Sequence, residues 1–426
     1  MSTDQPLNEK PLTQNIDEDA PLSLKQYEEK GGYQTMKKAL KEMKPSEITA
    51  LVKEANLKGR GGGGFPSGMK WGFVDISENA PKRKYLVCNA DEMEPGTFKD
   101  RLLMEGDPHS LIEGMIIAAY AIQADVSYIF IRWAYNLSSK RLKQAINEAY
   151  EAGYLGENIL GTGFKLDMFV HGSVGRYICG EETALLNALE GRRATPRAKP
   201  PFPPAVGLYG KPTIVNNVET LCCVPHIVKN GAEWFKQLSY SDEGGTKLYG
   251  VSGNVNNPGC WELPLGATMR EVIEDYAGGL KEGYQLRGAL PGGASTDFLT
   301  TDHLDIRLDF QTVGEHGSRL GTGTLIILDD QTDVPGFVGN LQEFFAQESC
   351  GWCTPCRDGI PWVAKILRSM RNKEGKPGDI EVLEKHVEYC GPGKTFCAFA
   401  PGAMEPLQSA LKYFREDFEQ SIKQTA

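Results

Sequence analysis

The sequence predicts an α/β protein in which a Rossmann-like parallel-sheet domain is followed by a small mixed domain of β-grasp size and a C-terminal helical bundle. Short apolar runs alternate with amphipathic helical patterns in the first half of the chain, which is typical of strand–helix units in a parallel sheet. Between residues 247 and 330 the pattern changes to short strands around one helix. From Val334 onward it is helical around a group of cysteines.

Composition narrows the class of protein. The 426 residues are 40% hydrophobic and 24% charged, as expected for a soluble globular chain of two or three domains. A net charge of −10 argues against nucleic-acid binding, which needs cationic contacts to phosphate. The most apolar stretch, residues 115–122, is too short for membrane insertion. A polar, acidic N-terminus without an apolar signal region predicts a cytoplasmic protein.

The predicted elements divide the chain into four parts. These are an extended N-terminal arm with one short helix at 1–45, an α/β domain at 46–240, the mixed domain at 241–333 and the helical domain at 334–426. Within the α/β domain, a helix capped by Ser46 precedes three predicted strand–helix pairs, at 84–92 with 107–124, 126–132 with 137–152, and 166–170 with 181–189. Ligands of parallel sheets bind beyond the carboxyl ends of the strands, which predicts a site formed by residues 89–94 and 172–182.

A glycine-rich loop, residues 59–71, is the first candidate for chemistry. It contains a formal G-x-G-x-x-G at Gly59, Gly61 and Gly64. The loop follows a helix, and Pro66 interrupts what would be the receiving helix, so an ordinary Rossmann phosphate turn is disfavoured. Its composition indicates a backbone that lies against a planar ligand while its amides meet phosphate. The alternative, a flexible linker, is disfavoured by the Phe-Pro and Lys-Trp pairs that end the loop.

Acidic and amide side chains gather at the predicted strand ends. Asn89, Asp91, Glu92 and Glu94 follow one strand, and the pair Glu181-Glu182 opens a helix. Such an acidic cleft suits amide, ribose and flavin donors; alternatively, the glutamate pair only complements a helix dipole. Asn216 and Asn217 are equally compatible with donors to a flavin ring and with a turn.

The cysteine pattern is the most specific signal. Cys350, Cys353 and Cys356 have the C-x2-C-x2-C spacing of 4Fe-4S sites, in which a distant cysteine completes the ligand set. Structural zinc, the alternative, usually takes two separated cysteine pairs. Cys390 and Cys397 both qualify as the fourth ligand, and spacing does not choose between them.

These motifs resemble those of a known family, the FMN-binding NADH-dehydrogenase subunits of respiratory complex I, with relatives in NAD-linked hydrogenases and formate dehydrogenases. The resemblance covers roughly residues 45–410 and rests on the glycine loop, the cysteine run, and the motifs at 89–92, 177–183, 199–202 and 216–220. It implies a ubiquitin-like middle domain, a cluster-bearing C-terminal bundle, and FMN, NADH and one 4Fe-4S cluster as cofactors.

Carried over by position, the resemblance also implies roles for individual residues. The implied FMN contacts are Gly59, Gly61, Lys70, Asn89, Asp91, Glu92, Gly180, Asn216, Asn217 and Thr220. The implied NADH contacts are Gly62, Gly63, Phe65, Glu94, Glu182, Lys199 and Phe202, with the two phenylalanines bracketing adenine. Tyr177 and Glu181 belong to the same cofactor-binding motif, and Cys397 becomes the fourth cluster ligand. Gly63 and Met93 depart from the residues usual in the family.

The resemblance finally implies an activity. Hydride passes from NADH to FMN, and single electrons pass to the cluster and on towards quinone; no side chain acts as catalytic acid or base, although Glu92 and Glu182 line the site. The implied partners are a thioredoxin-like 2Fe-2S subunit and a large iron–sulfur subunit, on the cytoplasmic side of the inner membrane. The alternatives are a diaphorase subunit of an NAD-linked hydrogenase or formate dehydrogenase, and a zinc-stabilised nucleotide-sensing adaptor.

Overall fold

The first domain is built on a four-stranded parallel sheet in the order β3-β2-β1-β4. The computed structural model describes residues 6–16 and 20–423. The strands are β1 (Tyr85–Ala90), β2 (Val126–Ile131), β3 (Asp167–Gly172) and β4 (Thr213–Asn217). The sequence pattern predicted the first three strands and missed β4, because it begins directly after Pro212 and ends in an Asn-Asn pair that is equally typical of a turn.

Helices cover both faces of this sheet. The helices of the first domain are α1 (Leu24–Glu29), α2 (Gln34–Glu42), α3 (Pro45–Glu54), α4 (Ser67–Trp71), α5 (Lys99–Gly106), α6 (Pro108–Ile122), α7 (Asn136–Glu151), α8 (Glu182–Leu189), α9 (Val218–Asn230) and α10 (Ala232–Gln237). Alternate residues of β1 enter different cores: Leu86 packs with α6 and α9, whereas Val87 packs with α8. Both faces of β1 are therefore buried, as the apolar run predicted.

Two predicted helix boundaries differ from the structure. Helix α3 starts at Pro45 with Lys44 as its N-cap, so Ser46 lies inside the first turn. Proline is favoured at the first helical position because its ring presets φ and the missing N–H has no intrahelical partner there. The predicted helix at 107–124 is α6, and a separate helix, α5, precedes it. Asp107 caps α6 by accepting from the Ser110 amide at 3.3 Å.

Residues 6–16 and 20–45, the described part of the predicted N-terminal arm, contain more structure than an extended arm with one short helix; residues 1–5 and 17–19 of that prediction lie outside the described residues. The described part contains α1 and α2, and its apolar side chains reach the main core, where Tyr33 and Met36 are fully buried. The buried Glu113 carboxylate of α6 accepts hydrogen bonds from the Tyr27 hydroxyl at 2.7 Å and from the Tyr33 amide at 2.9 Å. Because these contacts join residues about 80 positions apart, local periodicity did not reveal them.

The middle domain is a five-stranded mixed sheet. Its strands are β5 (Thr246–Ser252), β6 (Gly259–Pro264), β7 (Leu286–Leu290), β8 (Leu299–Thr300) and β9 (Thr324–Asp329), in the order β6-β5-β9-β7-β8. The first and last strands, β5 and β9, are parallel neighbours, which is the strand order of a β-grasp fold. A π-helical turn (Glu271–Tyr276) and α11 (Phe310–Glu315) complete the domain. The predicted β-grasp architecture is confirmed.

The C-terminal part is helical, as predicted. Its helices are α12 (Val334–Glu348), α13 (Ile360–Arg371), α14 (Asp379–Cys390), α15 (Phe399–Tyr413) and α16 (Arg415–Glu419), with a π-helical turn at Pro355–Gly359. Leu367, Leu383 and Leu407 share a buried core to which α13, α14 and α15 each contribute. None of the helices in the described ranges has both the length and the apolar character needed to span a bilayer.

Candidate functional site

The main cleft opens at the carboxyl ends of β1 and β4, where the topology predicted a site. All three domains line it. From the first domain come Gly61, Gly62, Gly63, Asn89, Asp91, Glu92, Met93, Glu94, Thr97, Lys99, Asp100, Tyr177, Ile178, Gly180, Glu181 and Asn217. The middle domain adds Gly292, Ser295, Arg319, Gly321 and Thr322, and the helical domain adds Ala398, Phe399 and Gly402.

The glycine loop forms one wall of the cleft. The Gly59 amide donates to the Phe65 carbonyl at 2.9 Å, and the Arg60 amide donates to the Thr220 hydroxyl at 2.8 Å. The first bond closes the loop on itself, and the second holds it against the start of α9. A Cβ on Gly61 would lie 3.0 Å from the Asn217 Cβ, so a side chain there would crowd the neighbouring strand end. A Cβ on Gly63 would meet nothing within 4 Å. The loop therefore presents bare backbone to the cleft.

Asp91 offers the clearest unsatisfied acceptor. Its Oδ1 accepts from the Ser173 hydroxyl at 2.8 Å, whereas its Oδ2 is buried and has no hydrogen-bond partner among the described residues. Burial raises the pKa of Asp91 to about 6. A buried carboxylate oxygen without a donor is costly unless a ligand supplies one.

Glu92 lines the cleft, but its carboxylate is already occupied. It accepts from the amides of Asp100 at 2.8 Å and Arg101 at 3.2 Å, at the start of α5, and from the Tyr135 hydroxyl at 2.9 Å. Burial, reinforced by the charge of Asp100, raises the pKa of Glu92 to about 7. The main contact of this carboxylate in the structure is thus with a helix N-terminus.

Glu94 joins the first domain to the middle domain. Its carboxylate accepts from the Tyr177 hydroxyl at 2.6 Å and from the Ser295 amide at 2.7 Å. Burial raises the pKa of Glu94 above its ordinary value. Asn89 faces the same cleft, and its amide donates to the Gly180 carbonyl at 3.2 Å. These contacts bring together the two segments that the sequence predicted to converge.

Eight of the predicted cofactor residues lie outside the cleft lining: Gly59, Phe65, Lys70, Glu182, Lys199, Phe202, Asn216 and Thr220. Lys70 Nζ lies 2.7 Å from a Glu182 carboxylate oxygen, and Lys199 Nζ lies 3.6 Å from the other. Burial alone would raise the pKa of Glu182, but the two lysines outweigh it and lower the pKa. Glu181 caps α8 through the amides of Thr183 and Ala184, so the helix-terminus role holds for this glutamate.

The predicted aromatic pair lies at the surface of the protein. Phe65 and Phe202 are both exposed, and the ring nearest Phe65 is that of Phe73, at 6.4 Å between centroids. Phe73 is also exposed and did not figure in the sequence prediction. Asn216 is buried, with its side-chain oxygen accepting from the Trp71 indole at 2.8 Å, so it stabilises α4.

Sequence reasoning missed the lining residues of the other two domains. The Thr97 and Thr322 hydroxyls are 2.6 Å apart, and Gly62 pairs with Gly321 in an isolated β-bridge. No local motif marks Arg319 or Thr322, because their role depends on how the domains pack. Lys99 was also missed: it is buried and lies 2.7 Å from Asp100 and 2.8 Å from Glu219.

A second, mainly apolar cavity collects the cysteines. It is lined by Cys350, Cys353, Cys356 and Cys397 together with Ile178, Pro196, Trp352, Thr395, Phe396, Phe399 and Ala400. The Phe396 amide points at Cys353 Sγ from 3.2 Å, as hydrogen bonds to cluster-ligating sulfurs do. Cys390 does not line this cavity; its thiol donates to the Pro355 carbonyl at 3.3 Å.

The residues fit the cofactors that the motifs imply. An orphaned Asp91 oxygen beside a bare glycine backbone suits the donors and phosphate of a flavin nucleotide. Within residues 6–16 and 20–423, no three His, Cys, Asp or Glu side chains have the arrangement of ligands to a single metal ion. Four cysteines around one cavity instead suit a multi-iron cluster, whose ligands stand farther apart than the ~2.3 Å Zn–S bonds of a zinc site permit.

Fold and sites together define a nucleotide-dependent flavoprotein with an iron–sulfur centre, and comparisons with known proteins agree. Residues 52–226 match the family described as Nuo51 FMN-binding domain, residues 336–421 match the NADH-ubiquinone oxidoreductase-F iron-sulfur binding region, and residues 248–298 match the SLBB domain. The chain belongs to the family of NADH-quinone oxidoreductase F subunits. The predicted family and the FMN and 4Fe-4S cofactors are thereby confirmed.

Individual relatives show how close the similarity is. The NADH-quinone oxidoreductase F subunit of Salmonella typhimurium is 58% identical over 415 residues, covering 97% of this chain and 93% of that protein. The Streptomyces coelicolor F subunit is 48% identical, covering 95% and 89%. A crystal structure of an NAD+-reducing [NiFe]-hydrogenase in the H2-reduced state has a TM-score of 0.84 at 34% identity. It covers 92% of this chain, which spans 65% of the hydrogenase chain.

Proposed function

We propose that this chain is the NADH-oxidising subunit of an NADH-quinone oxidoreductase, with FMN and NADH in the main cleft and a 4Fe-4S cluster in the cysteine cavity. When bound, FMN accepts a hydride from NADH and passes the electrons singly to the cluster. One observation carries the proposal: Ile178 and Phe399 line both the cleft and the cysteine cavity, so a single layer of side chains separates the two sites.

The residues of the chain bind and orient; none is proposed as an acid or base. We propose Asp91 Oδ2 and the amides of the glycine loop as flavin contacts, supported by the missing donor at Asp91. Thr220 and Gly59 act through the loop that they hold. Glu182, flanked by Lys70 and Lys199, is proposed to face the adenosine ribose, and the exposed Phe65 and Phe202 are proposed to bracket adenine.

The cluster ligands are proposed as Cys350, Cys353, Cys356 and Cys397. The shared cavity supports Cys397 as the fourth ligand, and the separate hydrogen bond of Cys390 argues against that cysteine. The domain division at residues 45, 240 and 333 is likewise proposed; it is supported by three buried cores centred on the first, middle and helical parts, with Leu248 of β5 joining the first core and Leu290 of β7 the helical core.

The family is that of one component of a larger enzyme, so this chain has partner subunits. We propose a thioredoxin-like 2Fe-2S subunit and a large iron–sulfur subunit as those partners, with the assembly bound peripherally to the cytoplasmic side of the inner membrane. The hydrogenase similarity supports a second candidate, an NAD-linked diaphorase, although 34% identity to that chain is well below the 58% identity to the Salmonella typhimurium relative.

The proposal is tested on the purified full-length protein. We expect flavin and iron–sulfur absorption together, four irons per chain, and bleaching of both by NADH without any partner subunit. A protein that holds zinc and no flavin would contradict the proposal and support the adaptor alternative. Co-purification with hydrogenase subunits, rather than with a 2Fe-2S protein and membrane-bound subunits, would favour the diaphorase.

A further inference from the structure

The cleft is short of cations that can bind a ligand. Five carboxyl groups line it, those of Asp91, Glu92, Glu94, Asp100 and Glu181, whereas Lys99 and Arg319 are the lysines and arginines among its lining residues. Both nucleotides of the proposed function carry phosphate, which a carboxylate-lined wall repels. Besides the amides of the glycine loop, these two cationic residues are the side chains of the lining that can attract phosphate.

Lys99 has no donor left for a ligand. Its ammonium group lies 2.7 Å from Asp100, 2.8 Å from Glu219 and 3.2 Å from the Asn217 side-chain oxygen. An ammonium group carries three N–H donors, and these three contacts use all of them. Its charge is also balanced by the two carboxylates, so Lys99 stabilises the wall of the cleft and is not available to a ligand.

Arg319 differs because part of its guanidinium remains available. Nε lies 3.0 Å from both carboxylate oxygens of Glu405, and Nη2 lies 2.7 Å from Glu405 and 2.5 Å from the Ser295 carbonyl. Nη1 donates no hydrogen bond within the part of the chain that the structure describes, and 46% of the side chain is exposed. The planar group is thus held on one edge and open on the other.

Glycines line the wall of the cleft next to Arg319. Gly402 lines the cleft beside Arg319, and a Cβ there would stand 3.6 Å from Arg319 Nη2 and 3.4 Å from the Ser295 Cβ. Gly292 and Gly321 line the same wall without side chains. Glu405 fixes the orientation of the guanidinium, so little freedom is lost when a second anion binds.

We propose that Arg319, supplied by the middle domain, binds a nucleotide phosphate through Nη1 and that Glu405 positions it. The assignment rests on the proposed function and adds a binding residue from outside the FMN domain. Guanidinium suits phosphate because its donors lie in one plane and pair with two oxygens at once. Two sources supply this phosphate chemistry, the FMN phosphate and the NADH pyrophosphate.

Four probes separate these sources in Arg319→Gln. FMN and riboflavin binding to flavin-depleted protein is followed by flavin fluorescence, and ADP-ribose and adenosine binding to holoenzyme by calorimetry. We expect affinity for FMN or for ADP-ribose to fall about tenfold or more, while riboflavin and adenosine affinities stay within about twofold. The phosphate-bearing probe that weakens identifies the source. Unchanged affinity for both would overturn the inference.

Glu405→Gln is the matched variant. It distinguishes phosphate binding by Arg319 from a purely structural salt bridge between the middle and helical domains. Glu405→Gln loosens the orientation of Arg319 but keeps its guanidinium, so affinity for the phosphate-bearing probe should fall by less than in Arg319→Gln, with riboflavin and adenosine affinities within about twofold of the wild type. If Glu405→Gln and Arg319→Gln lower the affinity for all four probes alike, the pair acts only as a structural salt bridge and the inference is wrong. Should Arg319→Gln not fold, Glu405→Gln decides: weakening of the phosphate-bearing probe alone supports the inference, and equal weakening of all four probes, or of none, overturns it. Failure of the wild-type protein to bind FMN would instead refute the proposed function.

Discussion

At the scale of single residues, Glu182 is an ionised carboxylate that lies between Lys70 and Lys199. The lysines lower its pKa, so the carboxylate is ionised throughout the neutral range. Ribose hydroxyls can donate to such a group, whereas a ribose 2′-phosphate carries about −1.5 to −2 charges and is repelled by it. One carboxylate can therefore favour NADH and disfavour NADPH.

Glu182→Gln removes this charge and keeps the shape. We expect NADPH efficiency relative to NADH to rise roughly tenfold or more, a change of at least ~1.4 kcal/mol, with a modest loss for NADH. Steady-state kcat/KM for both nucleotides, measured with ferricyanide as acceptor, gives the ratio. Glu42→Gln, an exposed carboxylate at the end of α2, is the control. An unchanged ratio would confine Glu182 to its contacts with Lys70 and Lys199.

Asp91 makes FMN binding dependent on pH. Burial raises its pKa to about 6 in the flavin-free protein, and a donor from the flavin to Oδ2 favours the ionised form and lowers that pKa. Binding then releases protons, so FMN affinity falls as the pH drops through about 6, by up to about tenfold per pH unit. Fluorescence titration at several pH values measures this slope. Asp91→Asn should flatten it, and an equal slope in the variant would assign the dependence elsewhere.

The fourth cluster ligand is tested by a pair of cysteine variants. We expect Cys397→Ala to lose the cluster signal in electron paramagnetic resonance, because three remaining thiolates hold the cluster poorly. Cys390→Ala should keep it, since that thiol bonds the Pro355 carbonyl and lies outside the cavity. Iron content per chain provides an independent measure. The reverse pattern would make Cys390 the ligand.

At the scale of elements, the glycine loop is defined by what packs behind it. Gly61 approaches the end of β4 through Asn217, whereas Gly63 faces open space. Glycine is thus needed at position 61 to let the loop approach Asn217, whereas at position 63 no neighbouring atom excludes a side chain. The steric requirement for glycine therefore applies to Gly61 and not to Gly63.

Alanine substitutions distinguish these two positions. A Cβ at Gly61 needs Asn217 to move by a few tenths of an ångström, and this shifts the loop, so we expect Gly61→Ala to weaken FMN binding several-fold. Gly63→Ala should bind FMN like the wild type. Flavin retention after gel filtration and fluorescence titration compare the variants. Equal losses in both would point to loop flexibility rather than packing as the determinant.

At the scale of the whole molecule, the cleft couples the domains. The Gly62–Gly321 bridge, the Glu94–Ser295 contact and the Arg319–Glu405 pair each join two of them. A ligand that binds only the assembled cleft stabilises it by about 2.7 kcal/mol at a concentration of 100 times its Kd. That stabilisation extends to every domain that lines the cleft.

Hydrogen exchange can detect this coupling. FMN should protect backbone amides of residues 292–296 and 319–322 in the middle domain as well as residues 59–64 of the glycine loop. The π-helical turn at Glu271–Tyr276 lies outside the lining and serves as an internal control. Protection limited to the first domain would show that the middle domain contributes no contact.

Features carried by residues close together along the chain could be predicted without the structure. Local patterns can be recognised in the sequence without knowledge of the fold. They include the three strand–helix units, the strand-end position of Asp91 and the spacing of Cys350, Cys353 and Cys356. The motifs that marked the family lie within short segments for the same reason.

Features that depend on contacts between distant residues required the folded structure. It separated Cys397 from Cys390, because both are a similar distance along the chain from the cysteine run but only one lines the cavity. It added Arg319 and Thr322 to the cleft and showed β4 as a strand, since each depends on packing against residues from another part of the chain. Buried surface and hydrogen-bond partners supplied across domains are collective properties, and no window of sequence contains them.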